Sequence, residues 1–198
     1  MNEARLTLET AGSWLEDVLS QFPDERVRIE GIDVLEGGEL EGLSRELLVH
    51  THHMTVTLEQ AHGQPVHLEV LEVKREGEDY ARKLILRAGE GGPVVLAGIM
   101  RFRLEFVRPE VREAIIEART PLGRILIEND VLRRIETVAF LRFPLDNSFG
   151  ELLGLGETDG FTYGRIALIF CDGEPAVELL EIIPPEERAG RAAKEPDL

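Results

Sequence analysis

The stretch Arg119-Thr120-Pro121-Leu122-Gly123-Arg124 joins two helical segments of this 198-residue chain, and its chemistry is the starting point. Thr120 is a favoured helix N-cap, Pro121 suits a first helical position, and Gly123 allows another group to approach closely. The amides at such a helix start attract anions. Ordinary helix initiation uses the same residue types, so this run alone leaves an anion site and a simple helix start both open.

Helical periodicity surrounds this run and recurs near the N-terminus. Pro109 opens a preceding helix, and a second helix is predicted over about 122–137. The preceding helix has an apolar stripe formed by Val111, Ala114, Ile115 and Ala118. An amphipathic helix is predicted over 10–22, where apolar residues recur at helical spacing: Ala11, Trp14, Leu15, Val18 and Leu19.

Most of the remaining chain alternates as β-strands do. Strands are predicted over 27–34, 67–74, 80–87, 94–106, 140–143, 163–170 and 175–183, with tight turns at 89–92 and 172–173. Segment 36–42 is predicted to be a loop rich in glycine and acid, and 54–60 to begin a strand. The fold class is therefore α+β: one domain with a largely antiparallel sheet and helices packed on one face. We expect this domain to span 1–185, with the N-terminal helix and an acidic segment in 1–44, and 186–198 to be a flexible tail.

Composition limits the partners of the chain. The formal net charge of -16 and the sequence pI of about 4.7 argue against nucleic acid as a main partner. An anionic ligand would need a locally positive pocket within this acidic surface. The sequence shows no signal-peptide core and no apolar run of membrane-spanning length, so we expect a cytoplasmic protein with no membrane partner. Oligomeric state cannot be read from these features.

The single cysteine indicates a reducing compartment, because one thiol cannot form an intrachain disulfide. Cys171 follows the apolar run 166–170, so we interpret it as a buried structural thiol. No dinucleotide-binding, phosphate-loop or nucleophile-elbow motif is present, and Ser148 lies in a different context.

Arg82 is the first candidate site residue. Strand alternation places it on one face with Tyr80, Leu84 and Leu86, which indicates that its guanidinium points inward. A buried guanidinium needs an anionic partner, and its planar fork suits a carboxylate. That partner can be a ligand or a protein carboxylate, and an edge-strand arginine reaching solvent has the same pattern.

The C-terminal strand carries two candidate acids. Glu181 shares a face with Val177, Leu179 and Ile183, whereas Glu178 shares the opposite face with other apolar residues. A carboxylate among apolar side chains must be paired or protonated. Alternation does not choose between the two acids, and either could instead be a solvent-facing strand acid.

The histidines at positions 50, 52, 53, 62 and 67 raise the question of a metal site. His50 and His52 would share a face if their segment were extended. No His-x3-His or Cys-x2-Cys spacing supports a metal, so we interpret these residues as surface or loop histidines and expect no metal.

Taken in order, these segments resemble the chorismate pyruvate-lyase family over about 45–185. The stretch 53–59 (His-Met-Thr-Val-Thr-Leu-Glu) is similar to a family segment in which Met54 occupies a ligand-contacting position. Arg82 corresponds to the arginine that grips a substrate carboxylate, and Leu122 to a further binding position in the Pro-Leu-Gly motif. Glu181 corresponds to the glutamate facing the ring, although some members carry it at the position of Leu180.

The resemblance implies a lyase that converts chorismate into 4-hydroxybenzoate and pyruvate without a cofactor. Arg82 would anchor a carboxylate, and Glu181 would contact the ring hydroxyl and assist proton removal, for which burial should raise its pKa. Met54 and Leu122 would help to close the pocket.

Other functions fit the same pattern. A non-catalytic sensor or binding protein for an aromatic acid would use Arg82 and Glu181 equally well, and a family member could make another hydroxybenzoate. The acidic N-terminus and the His-rich segment 50–53 depart from the family pattern and bear on substrate identity.

Overall fold

The computed structural model describes residues 8–22, 31–145 and 160–185. The predicted strand 27–34 lies partly, and the predicted tail 186–198 wholly, outside these ranges. Within them the chain forms a seven-stranded sheet in which every pairing is antiparallel. The strands are β1 Asp33–Leu35, β2 Val66–Glu76, β3 Asp79–Ala88, β4 Val94–Arg103, β5 Arg133–Pro144, β6 Phe161–Cys171 and β7 Glu174–Ile182.

The spatial strand order is β1-β5-β6-β7-β4-β3-β2. Sequential hairpins build β2-β3-β4 and β5-β6-β7, and β7 then pairs with β4 to join the two meanders. The sheet centre is therefore made by segments far apart in sequence. Side chains of β3, β4, β6 and β7 that share one face meet above this centre.

Five α-helices complete the described fold: α1 Leu8–Leu19, α2 Gly42–Leu48, α3 Met54–His62, α4 Pro109–Glu117 and α5 Leu122–Glu128. Helices α2 to α5 pack on one face, against residues such as Leu84, Met100 and Val177. The N-terminal helix α1 packs on the opposite face, against Ile85 and Ile182. The predicted single α+β domain with an antiparallel sheet is confirmed, and α1 gives that sheet apolar cover on its second face.

Two local predictions were wrong, whereas the predicted loop 36–42 is confirmed as far as Glu41, with the short helix α2 beginning at Gly42. The segment from Met54 is helix α3 and begins no strand. Helix α5 ends at Glu128, well before Thr137. Asp130 has a φ of 50°, a left-handed conformation that stops the helix and redirects the chain into β5.

The start of α5 also differs from the prediction by one residue. Its N-cap is Pro121, and its first helical residue is Leu122, so Thr120 precedes the cap. Within the described ranges, no helix is long and apolar enough to cross a bilayer.

Two glycines allow a matched test of packing. A Cβ at Gly164 of β6 would lie within 3 Å of both the Glu181 carbonyl oxygen and Phe143 Cε2, whereas one at Gly12 of α1 would meet nothing within 4 Å. We expect Gly164→Ala to lower the free energy of unfolding by about 1–3 kcal/mol through overpacking. Gly12→Ala should be neutral or stabilising by up to about 1 kcal/mol, through helix propensity. Urea unfolding measures both, and equal effects would contradict the β6–β7 packing.

Candidate ligand site

A partly enclosed cavity lies between the sheet and the N-terminal ends of α3 and α5. Its floor is made mainly by apolar side chains of β3, β4, β6 and β7. Four titratable residues line it: His53, Arg82, Arg165 and Glu181. A largely apolar pocket with a few polar groups is typical of small-molecule sites.

Arg82 extends from β3 into this region and is almost fully buried, with 1% of its surface exposed. Its Nε and Nη1 atoms have no hydrogen-bond partner among the described residues, and the hydroxyl of neighbouring Tyr80 is also unpartnered. Burial lowers the pKa of Arg82, and the nearby Tyr80 opposes that effect. Arginine nevertheless keeps its charge in proteins. Arg82 therefore points inward as predicted, but no carboxylate of the described residues pairs with it.

Glu181 extends from β7 on the same face and is 7% exposed. Arg165 of β6, opposite Glu181 in the strand register, donates from Nε to Glu181 Oε2 at 2.7 Å. Arg165 Nη1 also donates to the carbonyl oxygens of Leu48 and His50, at 2.9 and 3.0 Å. This buried ion pair therefore joins the cavity floor to the α2–α3 loop.

The strand register places Arg82 and Glu181 at opposite ends of the floor. Arg82 is opposite Met100 on β4, and Glu181 is opposite Gly98 on the same strand. Their Cα atoms are thus two strand spacings apart, roughly 10 Å, and offset by two residues, roughly 7 Å. Because Gly98 has no side chain, the floor between the two groups stays open.

The charges of the cavity do not balance. Arg82 and Arg165 each contribute one positive charge and Glu181 contributes one negative charge. A buried histidine with a pKa of about 4, His53, is neutral at physiological pH. The described lining therefore carries one uncompensated positive charge. An unpaired buried charge is strongly unfavourable, and an anion bound in the cavity would neutralise it.

Met54 and Leu122 form part of the cavity roof. Each is the first residue of its helix, α3 and α5 respectively, and each is buried. The two helix starts approach closely at Gly123, where a Cβ would lie 3.0 Å from Thr55 Oγ1 and 3.1 Å from His53 Nδ1. The predicted need for close approach at Gly123 thus has a structural reason. All four predicted site residues (Met54, Arg82, Leu122 and Glu181) line one cavity.

The sequence interpretation missed two of the titratable lining residues, Arg165 and His53. Arg165 shares its strand face with Ala167 and Ile169, so the alternation that singled out Arg82 would also have placed Arg165 inside. His53 was interpreted as a surface or loop residue but is 6% exposed, and its Nε2 has no partner within the described chain. Its position directly before a buried helix start was the available signal.

The His-rich segment does not act as one cluster. His50 Nε2 lies 2.7 Å from the Leu47 carbonyl oxygen, and His50 Nδ1 accepts a hydrogen bond from the His52 amide. These contacts fit a neutral His50, whose pKa is lowered mainly by burial and then by Arg165. His52 faces outward, whereas His53 faces the cavity side.

The alternative acid and the cysteine lie elsewhere. Glu178 is on the opposite sheet face, near Arg101 and Arg103 at 3.6 and 3.7 Å. Cys171 is fully buried, and burial raises its pKa to about 11. It is the inert structural thiol that the sequence predicted.

No protein-family model matches this chain, and no curated protein matches it. Solved structures do. PhnF from Mycobacterium smegmatis is similar over 70% of this chain and 66% of its own, at 11% identity and a TM-score of 0.54. The separately solved effector domain of that PhnF is similar over 68% of this chain and 90% of its own, at 11% identity and a TM-score of 0.49.

A third similar structure is described as the ligand-binding domain of a GntR-family transcriptional regulator from Bordetella bronchiseptica. It covers 61% of this chain and 86% of its own, at 14% identity and a TM-score of 0.46. At such low identities the comparison with PhnF shows the fold alone, and this chain spans slightly less than two-thirds of that protein. The α+β fold implied by the resemblance to chorismate lyase is confirmed, and none of these three neighbours is described as a lyase.

The buried His53 predicts a pH dependence of stability. Burial, followed by the charge of Arg133, lowers its pKa from 6.5 to about 4. Between these values the unfolded chain binds a proton that the folded chain does not, so stability falls as pH decreases. The loss should reach roughly 3 kcal/mol near pH 4. Urea unfolding at several pH values between 4 and 7 gives the free energy of unfolding as a function of pH. This free energy should change less with pH in His53→Gln than in His67→Gln, the control that replaces an exposed histidine. Identical slopes in these variants would contradict the buried, neutral state of His53.

Proposed function

We propose that this chain is a ligand-binding domain that takes a small aromatic carboxylate into the cavity and binds it without turnover. The observation that carries the proposal is the Arg82 guanidinium, which is buried and unpaired within the described structure. A carboxylate would neutralise it and fill its donors in the bidentate geometry that arginine favours.

The rest of the cavity narrows the ligand class. Apolar side chains such as Leu84, Met100 and Leu179 suit an aromatic ring. Glu181, whose charge is compensated by Arg165, would accept a hydrogen bond from a hydroxyl or amine at the far end of the ligand. Met54 and Leu122 would cover the ring from the roof. A hydroxybenzoate-like molecule meets these requirements.

The contacts of Glu181 favour binding over catalysis. A general base must be free to take a proton from the substrate, whereas Arg165 holds Glu181 Oε2 at 2.7 Å. The pair also fixes the α2–α3 loop, so moving this carboxylate during a reaction would disturb the cavity wall. The structural neighbours contribute the fold alone, and the proposal depends on the cavity.

A chorismate lyase is the second candidate. It is favoured by the placement of Arg82 and Glu181 on one sheet face with a partly enclosed space beside both. In that reaction Arg82 would anchor a substrate carboxylate and Glu181 would contact the ring hydroxyl. Positioning would provide most of the catalysis, since aromatisation drives the elimination.

Replacing Arg82 should stabilise the ligand-free protein and weaken ligand binding. We expect Arg82→Met to raise the free energy of unfolding of the ligand-free protein by at least about 1 kcal/mol, because an uncompensated buried charge is removed. The same variant should lose the rise in Tm that 4-hydroxybenzoate gives the wild type. Lys83→Met is the matched control, because it removes a positive charge from the adjacent position of β3, on the opposite face.

A ligand analogue identifies the ligand group that Arg82 recognises. Thermal unfolding with 4-hydroxybenzamide, which lacks the carboxylate, should show no stabilisation of the wild type. A destabilised Arg82→Met variant that 4-hydroxybenzoate still stabilises as strongly as the wild type would contradict the proposal.

A turnover assay decides between the two candidates. Purified protein is incubated with chorismate, 4-hydroxybenzoate is followed by absorbance, and pyruvate is followed with a coupled dehydrogenase. We expect 4-hydroxybenzoate to bind and neither product to form. Formation of both products, abolished by Arg82→Ala and by Glu181→Gln, would establish the lyase instead.

A further inference from the structure

A broad surface groove adjoins the cavity at the start of α3, and we propose that it is the vestibule through which a small organic anion enters. This outer groove is open to solvent. One wall is formed by residues 51–53 and Val56, and the other by residues of the segment from Ile127 to Ile135. The route is inferred from the geometry, whereas the class of ligand rests on the proposed function.

The outer groove and the cavity share two wall residues, His53 and Ile135. Both are buried, at 6% and 8% exposure, so together they form a partition between the open outer groove and the more enclosed cavity. Ile135 belongs to the long strand β5 and is held by the sheet. His53 lies directly before α3, at the end of the α2–α3 loop, and its side chain is the part of the partition that can turn aside.

Displacing the His53 ring breaks no polar contact within the described structure. Its Nε2 has no hydrogen-bond partner, and the residue does not cap α3 through its side chain. A buried nitrogen without a hydrogen-bond partner is energetically unfavourable. Turning the ring into the outer groove would expose this nitrogen to water, so hydration offsets part of the cost of opening.

The charge of the outer groove suits an anion. Arg133 is exposed and has no ion pair within the described ranges, whereas Arg134 stacks on Phe170 and pairs with Glu136. Asp130 is the acid of this lining and Glu136 compensates Arg134, so the groove is close to neutral and Arg133 is its arginine without an ion pair in the described structure. In a chain of net charge -16, such a groove repels small anions less than the rest of the surface does.

A competing route would run past Leu68 of the edge strand β2, which also lines the cavity and is half-buried. The two routes make different predictions, because Leu68 and His53 lie on different walls. A bulky residue at the true mouth slows access, and one at the other position does not.

A reporter thiol inside the cavity tests the route without any knowledge of the natural ligand. Leu179 lines the floor, and Leu179→Cys in the full chain supplies the thiol, with Met100→Cys as a second reporter position. The probes are three methanethiosulfonates: the anionic sulfonatoethyl, the cationic trimethylammonioethyl and the neutral methyl reagent. Native Cys171, which is fully buried, reports unfolding in the same molecule, and peptide mass spectrometry distinguishes the two thiols.

We expect His53→Ala to speed modification of Cys at position 179 by about tenfold or more with all three reagents, and His53→Trp to slow it, while Cys171 stays unmodified. Leu68→Trp should leave these rates within about twofold. Arg133→Glu should reduce the ratio of anionic to cationic rates by about tenfold without changing the neutral rate, and added salt should weaken the effect.

Three outcomes would overturn the vestibule. His53 variants could leave the rates unchanged at both reporter positions, Leu68→Trp could be the variant that slows modification, or position 179 could react only together with Cys171. A charge ratio insensitive to Arg133→Glu would remove the role of Arg133 in admitting anions. These results do not depend on 4-hydroxybenzoate, so they are separate from a failure of the proposed function.

Discussion

The interior of the described structure contains one positive charge that no protein carboxylate compensates. Arg82 and Arg165 are both buried beneath the same helices, and only Glu181 opposes them among the described lining residues. Charge burial without a partner is among the most unfavourable arrangements in a folded protein. In the function proposed above, a bound anion would compensate this charge inside a chain whose own net charge is -16.

The surrounding fold explains how this charge is held. The central strands β4 and β7 are paired, so β3 and β6 bring Arg82 and Arg165 to one face from distant parts of the chain. Arg165 then serves two purposes, since it compensates Glu181 and also binds the carbonyl oxygens of Leu48 and His50. A ligand that displaced Glu181 or Arg165 would therefore also displace the loop that precedes the roof helix α3. Such a connection would allow ligand binding in the cavity to change the position of that loop.

Strand periodicity made much of the sheet predictable, and it made the inward orientation of Arg82 predictable as well. Arg82 was found because its neighbours at alternate positions are apolar. Alternation could not choose between Glu181 and Glu178, because both faces of β7 are apolar and both are covered; the resemblance made that choice. Met54 was assigned to a strand because α3 is short and its cover comes from distant strands. The end of α5 at Glu128 depends on a left-handed residue that helical periodicity does not reveal.

A crystal structure of the wild-type protein grown with 4-hydroxybenzoate tests most directly whether a ligand carboxylate pairs with the buried Arg82. We predict electron density for the ligand in the cavity, with both carboxylate oxygens within about 3 Å of the Arg82 guanidinium nitrogens. Its ring should lie under Met54 and Leu122, and its hydroxyl should point toward Glu181. An Arg82 paired with a protein carboxylate, in a cavity that remains free of ligand at saturating concentration, would contradict the account.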